Sequence, residues 1–218
     1  MELLFANAVI LAHHFNPSIF TQLWLRKHEV VRNDQDFQSG CIFSDGACQL
    51  NTTHFKMVVT PDFLQIMPSG THNEQEVVSE TLNRIAGLLP QTPYIGIGLN
   101  FTWHVRPQGE TIDALSRGLF FHRDNVLCGF FDDPGARFGG YFSKDYRGVR
   151  LKLDVKPITV KQAITDTGPG EDRLQLYFNF HKDLSTPQAP QQIGETVALW
   201  TDARNLTREV MERTFGGE

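Results

Sequence analysis

The side chains of this 218-residue chain from which chemistry could be built are eight histidines, three cysteines and one stretch of interleaved aromatics and arginines. His14 and His104 stand out among the histidines. Each begins an identical spacing, His14-x-x-Pro17 and His104-x-x-Pro107, and each closes a strand-like run. Two histidines at equivalent strand ends could hold a metal or act as acid and base, because imidazole changes charge near neutral pH. With Asn100 on the second run, they would define a pocket between two halves of the chain. No carboxylate sits at ligand spacing beside them, and no HxH, HExxH or HxxxH accompanies them. The competing account is a strand-end histidine satisfied by backbone hydrogen bonds.

The other reactive residues lack the company that chemistry needs. Cys41, Cys48 and Cys128 are odd in number and contain no CxxC, so they form neither a disulfide framework nor a zinc site. Free thiols in a reducing cytosol are expected, and no local motif activates any of them. There is no GxSxG and no P-loop. Gly96-Ile-Gly98 falls inside a strand pattern, where glycine marks a bulge or close packing. Asp132-Asp133 is too little for calcium. The expectation is no catalytic residue, no metal and no cofactor.

The strongest functional candidate is the stretch from Cys128 to Gly148, with Phe130, Phe131, Arg137, Phe138, Tyr141, Phe142, Tyr146 and Arg147. Aromatic and arginine anchors among glycines suit an adaptable contact surface. A twisted hairpin with its aromatics packed beneath fits equally well. Stacking on single-stranded nucleic acid, helped by Arg137, Arg147 and Arg150, is a third reading. The net charge of −5 counts against it, since counterion release needs a basic surface. A fourth surface is the polar phase Arg150, Lys152, Asp154, Lys156 with Arg173, Gln175, Tyr177, Asn179, His181. It reads as a recognition face or as the solvated side of a sheet.

Composition places these residues in an ordinary folded chain, 40% hydrophobic and 21% charged. The N-terminus has an acidic residue at position 2 and no basic segment, so it does not read as a signal peptide. No apolar run is long enough to span a bilayer. A cytoplasmic protein with no membrane contact is expected.

Periodicity then supplies the elements. Residues 3–15 read as a buried strand and Pro17 to Val30 as a helix. Short strands fall around Cys41–Phe43 and Cys48–Leu50. Phe55, Met57 and Val59 alternate with His54, Lys56 and Thr60, and Leu64 and Ile66 continue in a hairpin partner. A polar loop from Pro68 to Asn73 precedes a helix from Glu74 to Leu89. Tyr94 to Val105 is a strand, Thr111 to Phe121 a helix and His122 to Gly148 a loop. Val149 to Val160 is a strand. A loop rich in Gly and Pro leads to its partner, Arg173 to His181. The last helix runs from Ile193 to Phe215.

That order repeats, and so do local motifs. Lys56-Met-Val-Val-Thr-Pro61 echoes Lys152-Leu-Asp-Val-Lys-Pro157, and Asp62-x-Leu-Gln-Ile66 echoes Asp172-x-Leu-Gln-Leu176. The histidine landmarks give an offset of 90, which sets Ala6, Ala8 and Ala12 on the phase of Gly96, Gly98 and Thr102. The fold expected is α+β: a single domain, 1–218, of two duplicated β-α-β-β-α halves, about 3–90 and about 94–215. Together they form a mainly antiparallel sheet with helices packed on one face.

Tyr94-Ile-Gly-Ile-Gly-Leu-Asn-Phe, read with Leu206-Thr-Arg-Glu-Val-Met-Glu-Arg-Thr-Phe, resembles a sporadically distributed family of uncharacterised bacterial proteins, similar in size and strand-helix order. The resemblance implies a bacterial or phage-borne α+β protein and carries over no activity. The expected function is a non-catalytic interaction or assembly subunit, with a protein partner or self-association through the 128–148 stretch and nucleic acid disfavoured. The alternative is a small-molecule-binding protein or enzyme using the His14, His104 and Asn100 pocket.

Overall fold

A computed structural model describes residues 1–70, 73–161 and 170–216. In chain order the elements are β1 (Glu2–Ala12), a 3-10 turn (Pro17–Ile19), α1 (Gln22–Lys27), β2 (Ile42–Phe43), β3 (Cys48–Asn51), β4 (Phe55–Val59), β5 (Phe63–Pro68) and α2 (Glu74–Leu88). Then follow β6 (Tyr94–Val105), α3 (Ile112–Phe120), α4 (Val126–Gly129), β7 (Gly140–Tyr146), β8 (Val149–Val160), β9 (Glu171–Asp183), α5 (Ala189–Val197) and α6 (Trp200–Phe215). Residues 71–72 of the polar loop and 162–169 of the Gly- and Pro-rich loop lie outside the described residues. Among the described residues no helix is long and apolar enough to cross a membrane.

The strands form one nine-stranded sheet in the order β2-β3-β4-β5-β1-β6-β9-β8-β7, and every pairing is antiparallel. Alternation sorts the side chains. Ala8, Ile10, Met57, Leu64, Ile66, Leu99, Phe101, Leu174 and Phe180 are buried on one face. The helices pack on that inward face: Trp200 lies 5.1 Å from Phe101, and Trp103 Nε1 donates to Thr207 Oγ1 at 3.1 Å. This is an α+β architecture with a single core cluster that draws on both halves.

Read outward from the β1–β6 seam, the order is β1, β5, β4, β3, β2 on one side and β6, β9, β8, β7 on the other, so β2 has no counterpart. The register at the seam overturns the expected phase of the small residues. Asn7 faces Asn100 and Ala8 faces Leu99 across it, so even-numbered residues of β1 face odd-numbered residues of β6 through this stretch. A shift by an odd count swaps faces relative to an even one. Ala8 and Ala12 therefore point into the core, whereas Gly96, Gly98 and Thr102 lie on the opposite face with Asn100. Lys56 pairs with Met67, and Lys152 with Asn179.

Two expected helices are interrupted, each for a local reason. The helix over 17–30 becomes a 3-10 turn capped by Asn16, then α1 capped by Thr21, whose hydroxyl accepts from Trp24 N at 3.2 Å. Two N-caps so close in sequence start two short elements, and Glu29 at φ 52° ends the second. The helix over 193–215 divides at Ala198–Leu199 because α2 intrudes. Gln75 Nε2 donates to Val197 O and Gln75 Oε1 accepts from Thr201 N, both at 2.9 Å. A side chain inserted into the ladder breaks a helix in this way.

Candidate functional site

The stretch from 122 to 148 is not a loop throughout. Asn125 caps α4 through its side chain, accepting from Leu127 N at 3.0 Å. Cys128 is turned inward as the anchor. One helical turn then places Val126, Leu127, Phe130 and Phe131 together, at i, i+3 and i+4 spacing. They are 78%, 66%, 78% and 58% exposed. Contiguous large apolar groups at this exposure mark contact sites in soluble proteins. Farther on, the chain forms β7. A Cβ on Gly139 would meet Val155 O at 2.3 Å, so only glycine allows the close approach that starts the strand. Arg147 and Gly148 both have positive φ, 47° and 82°, as a two-residue hairpin turn requires.

The structure divides the eight expected contact residues. Phe130, Phe131, Tyr141 and Phe142 are exposed. The other four are committed within the chain. Arg137 is clamped between Asp113, at 2.9 Å, and Asp172, at 2.7 Å. Those carboxylates raise its pKa, and Asp172 is itself held low by hydrogen bonds from Thr159 and then Arg137. Phe138 packs edge-on to Phe121, with Arg117 over both rings. Tyr146 packs against Phe180 in the core, and Arg147 pairs with Asp202. Thus 128–148 is partly exposed apolar surface and partly packed hairpin.

Beside β7 the inward face is uncovered. Tyr141, Phe142, Leu151, Leu153, Leu206 and Val210 line an apolar groove of about 500 Å³ between the β7–β8 hairpin and α6. It continues past Phe120 and Val155 into a smaller depression of about 230 Å³. Lys144 stands at the groove and has no ion pair among the described residues.

The face away from the helices carries a row of amides. Asn7, Asn100 and Asn179 lie opposite one another on β1, β6 and β9. Asn100 Nδ2 donates to Asn7 Oδ1 at 2.8 Å; Asn179 Nδ2 and Tyr177 Oη donate to Asn100 Oδ1 at 2.7 and 2.8 Å. Gly98 makes room: a Cβ there would sit 2.8 Å from Asn179 Nδ2. Asn100 is only 7% exposed under this network.

His14 and His104 do not meet. His104 pairs with Glu2 at the start of β1, whereas His14 follows its end. Ten strand steps separate these ends by roughly 33 Å. Equivalent ends of antiparallel neighbours always lie apart, so matched spacing of the two histidines argued against a shared pocket. His14 is exposed. His104 is buried, with Nε2 3.4 Å from Gln175 Oε1 and Nδ1 without a partner. Burial and then the Arg173 charge lower its pKa, against the Gln175 hydrogen bond. Among the described residues no group of three or more His, Cys, Asp or Glu could hold a metal ion.

Sequence reasoning missed Val126, Leu127, Leu151, Leu153, Leu206 and Val210, along with Asn7 and its amide row. The cap at Asn125 followed by the i, i+4 apolar pairs was a legible signal for the first two. The groove had none, because its walls come from a hairpin and a helix more than 50 residues apart. Compared with models of known families, with curated proteins and with solved structures, the chain matches none.

Proposed function

We propose that this protein is an interaction or assembly subunit that works through protein–protein contacts. The observation that carries the reading is the crowding of exposed large apolar side chains into one stretch: Val126, Leu127, Phe130, Phe131, Tyr141 and Phe142. Such side chains are costly to leave in water, at about 1.5–3 kcal/mol for each that a partner fully buries. Arg137, Phe138, Tyr146 and Arg147 serve this surface by fixing its backbone. The setting is a reducing cytosol, consistent with three free cysteines. The test places a photo-cross-linking residue at Phe130 in the full chain in its native host. A discrete protein adduct supports the reading; an uncross-linked chain refutes it.

We also read the two halves as copies of one unit, in which β3 and β7 add a strand to the expected β-α-β-β-α order. The shared strand order outward from the seam and the matched Lys56 and Lys152 support this. Superposing the halves about the Asn7–Asn100 contact tests it: strands β1, β5 and β4 landing out of register on β6, β9 and β8 would remove it. The small-ligand alternative survives only in altered form. Of its three residues, Asn100 stays at the seam between the halves, where the amide row offers the polar contacts.

A further inference from the structure

The two halves differ in how the inward face of their outer strands is covered. In the first half Cys48, Leu50, Phe55, Met57 and Val59 are fully buried. The chain itself supplies the cover. The segment between β1 and β2 buries Phe20, Leu25, Val30 and Val31 in the same cluster, and its Phe37 packs against Phe43 of β2. The corresponding outer positions of the second half follow from the register. Leu50 pairs with Met57 and Met57 with Ile66; Phe142 pairs with Leu153 and Leu153 with Phe178. There Phe142 is 52% exposed and Leu153 is only partly buried.

The segment that lies between the first and second strands of this half is 106–139. It covers them only in part: Phe120 packs against Phe142 at 6.3 Å between ring centroids, and Phe142 still keeps half of its surface exposed. Arg137 ties its end to Asp113 and Asp172, and Arg117 ties Asp132 at 2.5 Å, beside the 171–173 end of β9. Its apolar turn, Val126 to Phe131, faces solvent, and the groove at Leu151 and Val210 lies toward the other end of the hairpin. One chain therefore carries an unfilled apolar groove and an unburied apolar turn that do not meet. We infer that the groove takes the Val126–Phe131 turn of a second copy of this chain, reciprocally, giving a twofold dimer.

Helix-in-groove docking uses i, i+3 and i+4 anchors of this type, and a reciprocal exchange closes without leaving either surface open to polymerise. Charge agrees with the pairing. Asp124 and Asp133 flank the turn and have no ion pair among the described residues, outnumbering Arg123, which has none there, while Lys144 at the groove has none either. The inference rests on the interaction reading above and names its partner.

Sedimentation velocity on the full chain tests it. The wild type is expected to dimerise with a Kd of about 1–10 µM. Phe130→Ser/Phe131→Ser in the turn and Val210→Lys in the groove are each expected to give monomers. Phe142→Lys, at an exposed position, stands in if Val210→Lys disturbs the urea midpoint. Mixing the turn variant with the groove variant restores a heterodimer through one intact contact, at least about tenfold weaker than wild type. A wild-type monomer at about 100 µM, or dimers indifferent to both variants, overturns the inference. The Phe130 cross-link separates the two readings. An adduct to β8 or α6 of a second copy supports self-docking. An adduct only to another protein refutes self-docking and keeps the interaction reading, and no adduct refutes both.

Discussion

Replacing Asn100 by alanine tests whether the amide row holds the seam together. The substitution removes three neutral hydrogen bonds, to Asn7, Tyr177 and Asn179. A net neutral hydrogen bond contributes about 0.5–1.5 kcal/mol. The freed partners are on an uncovered face, and Tyr177 is 37% exposed, so water can satisfy them. That places each loss in the lower half of the range, and the total at about 1.5–3 kcal/mol. The shift in thermal midpoint would be roughly 3–12 °C for a chain of this size. Urea unfolding followed by tryptophan fluorescence reads the change well, because Trp103 and Trp200 lie in the core beneath the seam. Tyr177→Phe removes one of the three bonds and should cost about a third as much. In the double variant the Tyr177 change should cost nothing further, since its acceptor is already gone. An Asn100→Ala cost below about 0.5 kcal/mol would refute the argument, because the bonds would then be no better than those to water. Strict additivity in the double variant would refute the shared acceptor.

Three further outcomes are expected. Gln75→Ala should destabilise by about 1–3 kcal/mol, and hydrogen exchange should rise at Thr201, whose amide loses its acceptor at the α5–α6 break. His104 has a lowered folded pKa, so its contribution is intact above the unfolded value of about 6.5 and is lost as pH falls below it. His104→Gln should therefore flatten the acid side of the stability profile relative to wild type; identical profiles would refute it. Glu2, Arg173 and Gln175 face the same imidazole and remain in both proteins. Burial, and then the neighbouring Cys41 thiol, pushes the Cys48 thiol up to about 12. It should resist thiol reagents at pH 8 until urea unfolds the chain, while partly exposed Cys41 reacts first.

Much of this protein was decided by sequence alone. Alternation of apolar and polar residues marks a strand wherever it occurs, and Phe55-Lys-Met-Val-Val59 and Tyr94–Val105 carried it clearly. Apolar stripes at helical spacing are local as well, so α2, which follows Asn73, and α3, which follows Thr111, were placed within a residue or two. The exposed aromatics Phe130, Phe131, Tyr141 and Phe142 were legible because their neighbours are glycines and charges. The tertiary structure decided what depends on distant partners. The break between α5 and α6 needs Gln75 from more than 120 residues away. Arg137 and Arg147 turn from contact residues into struts because Asp172 and Asp202 are brought beside them. The phase of the small residues on β1 and β6 hinges on which residue faces Asn7 across the seam, and one residue of register inverts every face. The two histidines looked like a pair by spacing, yet an antiparallel seam puts the matched ends of neighbouring strands a full strand length apart.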